Sequence, residues 1–310
     1  MRRTAFVTGA SGFIGINLIK QLCEEGWEIT ALHREQSDIT HLSKFPVNLI
    51  EGDIYYSPDK VVASIPENID AIFHVAANLN YNNIPDVPQD LDTINGTINM
   101  INAALTRKAK RFVYTSSLAT YGAQDGISIN ENTISNALDI PLNYFRSKYL
   151  AEQEVVKALN RGLPAVILNP AHVIGPYGGR AWISLVKSII KGKLKTSPPG
   201  NSYFCHVRDI ARAHIDAFEK GRIGEKYLLG GVPASFEEIG IIIAELTNSK
   251  APMVSSNRDP NMDSGVFDLM SLNQIVDSTK AMKELDFKYG TLKEIISDLC
   301  IWMRKEKLIG

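Results

Sequence analysis

One short segment constrains this chain more than any other. Ala5-Phe6-Val7-Thr8 is an apolar, β-prone run. It breaks into Gly9-Ala10-Ser11-Gly12-Phe13-Ile14-Gly15, and from Ile14 to Leu22 the apolar residues recur at helical spacing. A strand that turns into a helix through glycines opens a βα unit, and the next strand must then lie parallel to the first. The start of such a helix carries unpaired N–H groups and the positive end of its dipole. That makes it an anion site. Glycines let the turn be tight and let a phosphate approach the backbone. The turn therefore predicts a dinucleotide site lined by Gly9, Ser11, Gly12, Phe13 and Ile14.

The rest of the first half keeps the alternation. Strands are predicted at Thr4–Thr8, Glu28–Leu32, Val47–Glu51, Ala71–Val75 and Arg111–Thr115. Helices are predicted at Gly12–Glu25 and Pro88–Arg107. A further helix runs from Tyr144 to Asn160, and a strand covers Ala165–Asn169. The predicted class is α/β: a doubly wound parallel sheet of the Rossmann type, with ligands at the C-terminal ends of its strands. After Pro170 the texture changes. Gly175-Pro176-Tyr177-Gly178-Gly179 and Ser197-Pro198-Pro199-Gly200 punctuate the chain around an apolar helical stretch, Trp182–Ile190. The expected division is a dinucleotide-binding domain over 1–174, with 203–230 returning to it. A smaller substrate lobe is expected from 175–202 and 231–310.

Bulk properties exclude several classes. The chain has 310 residues, 45% of them hydrophobic and 22% charged, and a net charge of −1. That balance suits a globular protein and gives no general attraction to nucleic acid or an acidic membrane. No apolar run approaches the ~20 residues needed to span a bilayer, and the apolar run near Met1 is too short for a signal-peptide core. Cys23, Cys205 and Cys300 are far apart and show no metal or disulfide spacing. The expectation is a cytoplasmic protein with no metal.

Thr8 through Gly15 is the nucleotide-loop pattern of the extended short-chain dehydrogenase/reductase superfamily. The chain resembles that superfamily, and its dihydroflavonol-reductase-like branch most closely. The strand after this loop ends Ala31-Leu32-His33-Arg34, without the acid that holds the ribose hydroxyls of NAD. An Arg there suits a 2′-phosphate. Arg34 therefore favours NADP(H), with NAD(H) left open, and His41 is a weaker candidate for the same phosphate. By resemblance, Asp53 accepts from the adenine amino group and Ile54 packs on the ring. Ala76, in His74-Val75-Ala76-Ala77, is small enough for the cofactor to lie against. His74 itself reads as a packing residue. Pro170 and Val173 resemble the segment that holds the nicotinamide carboxamide.

Tyr144 and Lys148, four residues apart, share one helix face. A neighbouring ammonium should lower the tyrosine pKa and suit it to acid/base work. The spacing recurs at Tyr56/Lys60 and Tyr289/Lys293. Pro58 argues against a continuous helix across the first of these, and Gly290 weakens the second. Only Tyr144 follows a serine at a predicted sheet end, in Tyr114-Thr115-Ser116-Ser117. By resemblance the catalytic position is Ser117, with Ser116 the alternative. The implied catalytic set is Ser117, Tyr144 and Lys148, acting on a carbonyl; Tyr144 and Lys148 would also contact the cofactor. Asn95 matches an asparagine of the superfamily and reads equally as a structural amide. His172 reads as a support.

The resemblance leaves the substrate open between a ketone or aldehyde and a nucleotide sugar to be epimerised or dehydrated. Sugar-nucleotide enzymes usually carry an Arg where Ser202 stands, so a small, hydrophobic carbonyl compound is preferred. Arg180, Lys187, Lys191, Lys193 and Lys195 make the lobe basic and keep a phosphorylated substrate open. Leu79, Tyr81, Tyr121, Tyr177, Trp182 and Phe204 are candidate pocket residues that also fit a core. A sensor that binds NADP without catalysis is the least favoured reading. The resemblance further implies a homodimer through the helices at Pro88–Arg107 and Tyr144–Asn160.

Overall fold

The computed structural model describes residues 2–79, 89–259 and 262–310. Its first elements are β1 (Thr4–Thr8), α1 (Phe13–Glu24), β2 (Glu28–His33), β3 (Asn48–Glu51), α2 (Pro58–Ser64), β4 (Ala71–His74), α3 (Gln89–Thr106) and β5 (Phe112–Thr115). There follow β6 (Ser128–Ile129), α4 (Asn143–Leu159), β7 (Ala165–Pro170), β8 (His172–Ile174), α5 (Arg180–Ile190), β9 (Thr196–Ser197), β10 (Asn201–His206), α6 (Val207–Glu219) and β11 (Lys226–Leu229). The last are β12 (Val232–Ser235), α7 (Phe236–Thr247), β13 (Met253–Val254), α8 (Ser264–Met270), β14 (Ile275–Val276), α9 (Thr279–Glu284) and α10 (Leu292–Lys305). Pro88, the first residue of the helix read as Pro88–Arg107, lies outside the described residues, as does Tyr81.

Seven parallel strands form the main sheet in the order β11-β7-β5-β4-β1-β2-β3. Side chains alternate across it, as the two-residue strand period requires. Ala5 and Val7 join one apolar layer with Leu18, Leu22 and Ile210; Phe6 joins the other with Met100, Ile101, Ala151 and Val155. The result is a three-layer Rossmann-type α/β fold with helices on both faces. Strand order reverses between β1 and β4, and the crevice at such a switch point is where ligands bind in these sheets.

A second, three-stranded sheet runs β12-β10-β8. It packs Phe204 and Ile174 against α5, α7 and α10. Here the sequence reading needs correction. It returned 203–230 to the dinucleotide-binding domain; α6 packs on a face of the main sheet and β11 joins that sheet, but the start of the span does not. Residues 203–206 belong to β10, which pairs with β8 in parallel and β12 antiparallel. β11 takes the main-sheet edge beside β7, and β8, running on past β7, supplies the edge that β10 uses.

His74 and His214 lie inside the main domain's core with 0% exposure. Burial pulls them down to about 3 and about 4, from 6.5. Both are neutral in the folded state, whereas an unfolded chain protonates them below about 6.5. Stability is therefore present above that pH and lost as pH falls toward the folded values. Two such groups should cost about 4 kcal/mol between pH 7 and pH 5. Urea unfolding across that range checks this, and a flat profile would refute it.

Candidate active site

The glycine turn is held by two close approaches. Gly9 has φ +66°, and a Cβ there would lie 2.8 Å from the Ala76 amide nitrogen. A Cβ on Gly15 would lie 2.1 Å from the Gly9 carbonyl oxygen. These contacts bring the ends of β1 and β4 and the first turn of α1 together. Gly12 is the N-cap of α1; no side chain caps the helix and no acid sits in its first turn. The first-turn N–H groups, those of Phe13 and Ile14 among them, thus form an uncapped positive end beside half-buried Ser11. The Ala76 N–H donates to Thr8 Oγ1 at 3.2 Å, fixing the β4 end against the turn.

Arg34 lies just past β2 and is exposed. Its backbone is pinned in a turn: its N–H donates to Ser37 Oγ at 3.2 Å, and the Ser37 N–H donates to its carbonyl at 3.0 Å. Asp53 follows β3, and its Oδ1 accepts from the N–H groups of Tyr55 at 2.7 Å and Tyr56 at 3.1 Å. Ile54 packs on Gly96 of α3, where a Cβ would meet its Cδ1 at 2.7 Å. His41 is placed elsewhere: its ring meets Tyr177 at 4.9 Å and its Nε2 lies 3.8 Å from Glu306.

β5 ends at the two serines, and the structure separates them. Ser116 Oγ donates at 2.5 Å to the buried carboxylate of Glu152. Ser117 caps a short 3-10 turn, Leu118–Tyr121, by accepting from Ala119 N–H at 3.1 Å. The Ser117 hydroxyl is also close enough to the Tyr144 phenol to favour its ionised form. Tyr144 and Lys148 lie on α4, whereas Tyr56 and Tyr289 precede the helices that hold Lys60 and Lys293. Of the three pairs, only Tyr144 and Lys148 share a helix.

One electrostatic expectation fails. Burial pushes the Tyr144 phenol above its ordinary value, and the nearby Ser117 hydroxyl offsets only part of the rise. The Lys148 ammonium is turned to Thr115 O at 2.7 Å and to Tyr114 Oη at 3.5 Å. Burial pulls Lys148 itself down to about 8, while Glu152 opposes that shift.

Deeper in, Thr97 joins groups that the sequence reading treated separately. Its hydroxyl donates to Thr93 O at 2.7 Å and lies 3.1 Å from His74 Nε2. His74 Nδ1 lies 2.8 Å from Thr8 Oγ1. Since the Thr97 hydrogen is committed to Thr93, His74 donates from Nε2 and accepts at Nδ1. A chain of hydrogen bonds thus links Thr97 of α3 through His74 to Thr8 at the nucleotide turn. Asn95 is half-buried on the same helix. Pro170 is buried at the end of β7, and Val173 is half-buried in β8.

The candidate pocket residues divide. Phe204 is fully buried and Tyr121 is 3% exposed, so both are core. Tyr177 and Trp182 are half-buried, and Leu79 is exposed. His172 stacks on Phe204 at 5.2 Å, and burial pulls it down to about 4, consistent with a support. Ser202 is buried and its hydroxyl donates to Gln274 Oε1 at 2.5 Å. Arg180, Lys187, Lys191 and Lys193 border a groove of about 360 Å³ along α5. Among the described residues, no His/Cys/Asp/Glu cluster could hold a metal, and no helix is long and apolar enough to cross a membrane.

A glycine turn at the switch point of a doubly wound sheet is the arrangement of a dinucleotide-binding fold. Residues 5–230 match the profile of the NAD dependent epimerase/dehydratase family, and the chain belongs to that family. Cinnamoyl-CoA reductase 1 of Arabidopsis thaliana is 30% identical over 79% of this chain and 75% of its own length. Dihydroflavonol 4-reductase of Dianthus caryophyllus is 26% identical over 93% and 83%. The crystal structure of gox2253 superposes with a TM-score of 0.86 at 26% identity, covering 100% of both chains.

Proposed function

We propose that the chain is an NADPH-dependent reductase of a ketone or aldehyde on a small, hydrophobic substrate. The observation that carries this reading is Tyr144 and Lys148 one turn apart on α4, with Ser117 just past the end of β5 near enough to the phenol to influence its pKa. The nucleotide site fits a dinucleotide: the Gly9–Gly15 turn is packed too tightly on itself and on Ala76 to admit a Cβ, and α1 begins uncapped beside it. Gly9, Ser11, Gly12, Phe13 and Ile14 would hold the pyrophosphate, Arg34 the 2′-phosphate, and Asp53 and Ile54 the adenine. Ala76, Pro170 and Val173 would flank the nicotinamide. When bound, the nicotinamide supplies the hydride.

Tyr144 then gives its phenolic proton to the carbonyl oxygen as negative charge develops there. Ser117 donates a hydrogen bond to the same oxygen and holds it in line. Lys148 stabilises the phenolate left on Tyr144 and binds the nicotinamide ribose. A raised phenol pKa keeps Tyr144 protonated at neutral pH, which favours reduction. Residues 1–174 with 203–230 returning to them, less the small-sheet strands β8 and β10, would form the cofactor domain and the segments around the small sheet the substrate lobe, with two copies pairing through α3 and α4.

One observation favours a second reading, a nucleotide-sugar epimerase or dehydratase: the cation-lined groove on α5 could meet a diphosphate. Ser202 weighs against it, because a buried serine bound to Gln274 offers no cation at the position where sugar-nucleotide enzymes carry Arg. The test is consumption of NADPH with a panel of hydrophobic ketones and aldehydes, beside product analysis with UDP- and GDP-sugars. Sugar turnover without net NADPH consumption would replace the first reading by the second.

Arg34→Ala is expected to weaken NADPH about ten- to hundredfold, the loss of one charge-assisted contact, and to leave NADH within about threefold. Fluorescence titration of both cofactors measures this. Equal losses for the two would remove Arg34 from phosphate recognition.

A further inference from the structure

Behind Ser117 lies a buried carboxylate that the proposed chemistry does not use. Glu152 sits on α4, four residues beyond Lys148, and is 1% exposed. Ser116 Oγ, just past β5, and Asn169 Nδ2, from β7, donate to its Oε2 at 2.5 and 2.7 Å. Lys226 Nζ, from β11, donates to Oε1 at 2.5 Å. Donors thus reach both oxygens from three directions, which suits an acceptor-only group.

Asn169 carries this anchorage on to Ser117. Its side chain is fully buried, and Nδ2 offers two hydrogens to three acceptors: Glu152 Oε2, Thr120 Oγ1 at 3.0 Å and Ser117 O at 3.2 Å. Its Oδ1 is buried and meets no donor among the described residues. An amide with its donors engaged and its acceptor idle is oriented by the acceptors around it. Turned over, it would set Oδ1 against the carboxylate and against Ser117 O. Thr120 Oγ1 gives its own hydrogen to Ser117 O at 2.8 Å, so toward Asn169 it too can only accept. The Thr120 N–H reaches the same carbonyl at 3.1 Å. Three donors therefore hold the Ser117 carbonyl, and the Ala119 N–H holds its Oγ at 3.1 Å. Of these, the Asn169 amide is the one that Glu152 orients directly.

Burying a carboxylate is costly, and a well-packed apolar residue often serves stability as well or better. A carboxylate kept here calls for a use. We infer that Glu152, acting through Asn169, is a positioning residue for Ser117: it fixes the turn of the serine peptide and so the place where the hydroxyl meets the carbonyl oxygen of a substrate.

The inference rests on Ser117 being the residue that holds that oxygen, and a double-mutant cycle lets the two fail separately. The substrate is whichever hydrophobic ketone or aldehyde is reduced fastest with NADPH. Ser117→Ala should lower kcat about 10²- to 10³-fold. Undiminished kcat there would remove Ser117 from the reaction, and the inference with it. Glu152→Met keeps the length of the side chain and removes both acceptors. In the wild-type background it should lower kcat about tenfold or more through misplacement of the hydroxyl, and leave KM and NADPH affinity within about threefold. In the Ser117→Ala background it should change kcat by less than about twofold, because no hydroxyl is left to misplace. Circular dichroism checks that each variant folds. Unchanged kcat in folded Glu152→Met, or the same fall with and without the Ser117 hydroxyl, overturns the inference. If Glu152→Met does not fold, Asn169→Leu, which keeps the shape of the amide without its donors, takes its place in the cycle with the same expected and overturning results.

Discussion

Tyr144→Phe should lose about 10²- to 10⁴-fold in turnover while binding NADPH within about threefold of the wild type. The substitution removes one oxygen and leaves the ring. Tyr144 is half-buried near the start of α4 and its ring meets Phe145 at 6.3 Å, so the packing of the helix should survive. What disappears is the proton that the developing alkoxide needs, together with the oxygen that lies near the Ser117 hydroxyl. The expected signature is a fall in kcat with little change in cofactor affinity, because the lost interaction is made chiefly in the transition state. The pH dependence adds a sign. With the phenol raised, reduction should hold steady through neutral pH, whereas the reverse oxidation, which needs the phenolate, should climb as pH increases. Stopped-flow NADPH oxidation and titration of cofactor fluorescence provide the two readouts. Undiminished kcat in the Phe variant would remove Tyr144 from proton transfer.

Much of this was legible in residues with local signals. The glycine turn, the alternating strands and the Tyr144/Lys148 spacing all express their geometry within a few residues of sequence. The decoy pairs could be set aside for the same reason: Pro58 opens α2 after Tyr56, and Tyr289 stands before Thr291, the N-cap of α10. Glu152 was missed although its signal was present, as a carboxylate one turn beyond Lys148 on the same helix face. Its partners, Ser116, Asn169 and Lys226, come from three separate strands, and no local pattern brings them together. Burial misled in the other direction. Side-chain spacing promised an ammonium aimed at the phenol, but desolvation and the pull of Thr115 and Tyr114 decided where Lys148 points. The helices at α7 and α10 carried capping boxes, Ser235 with Glu238 and Thr291 with Glu294, that sequence inspection alone could have used to set their starts.

Gly15→Ala should abolish most dinucleotide binding, and it separates the cradle from the chemistry. Gly15 is buried in the first turn of α1, and the added methyl carbon would stand 2.1 Å from Gly9 O, 2.8 Å from Gly9 C and 2.9 Å from Ala10 Cα. All three are backbone atoms, so no side chain can swing away. Gly9 cannot yield easily, since its carbonyl accepts the Gly12 N–H at 2.9 Å and its own left-handed backbone sits against Ala76. The first turn of α1 must shift outward by about an ångström, and its uncapped N–H groups move with it. A displacement of that size can cost about 10²-fold at a site built on orientation. The overpacking itself should destabilise the fold by about 1–3 kcal/mol. Gly26→Ala is the control. Gly26 also has a positive φ, +75°, but a Cβ there meets nothing within 4 Å. That variant should lose about 1 kcal/mol of stability from backbone strain and none of its NADPH affinity. Isothermal titration for binding and urea unfolding for stability give the two axes. If Gly15→Ala bound NADPH as the wild type does, the pyrophosphate would not lie on this turn.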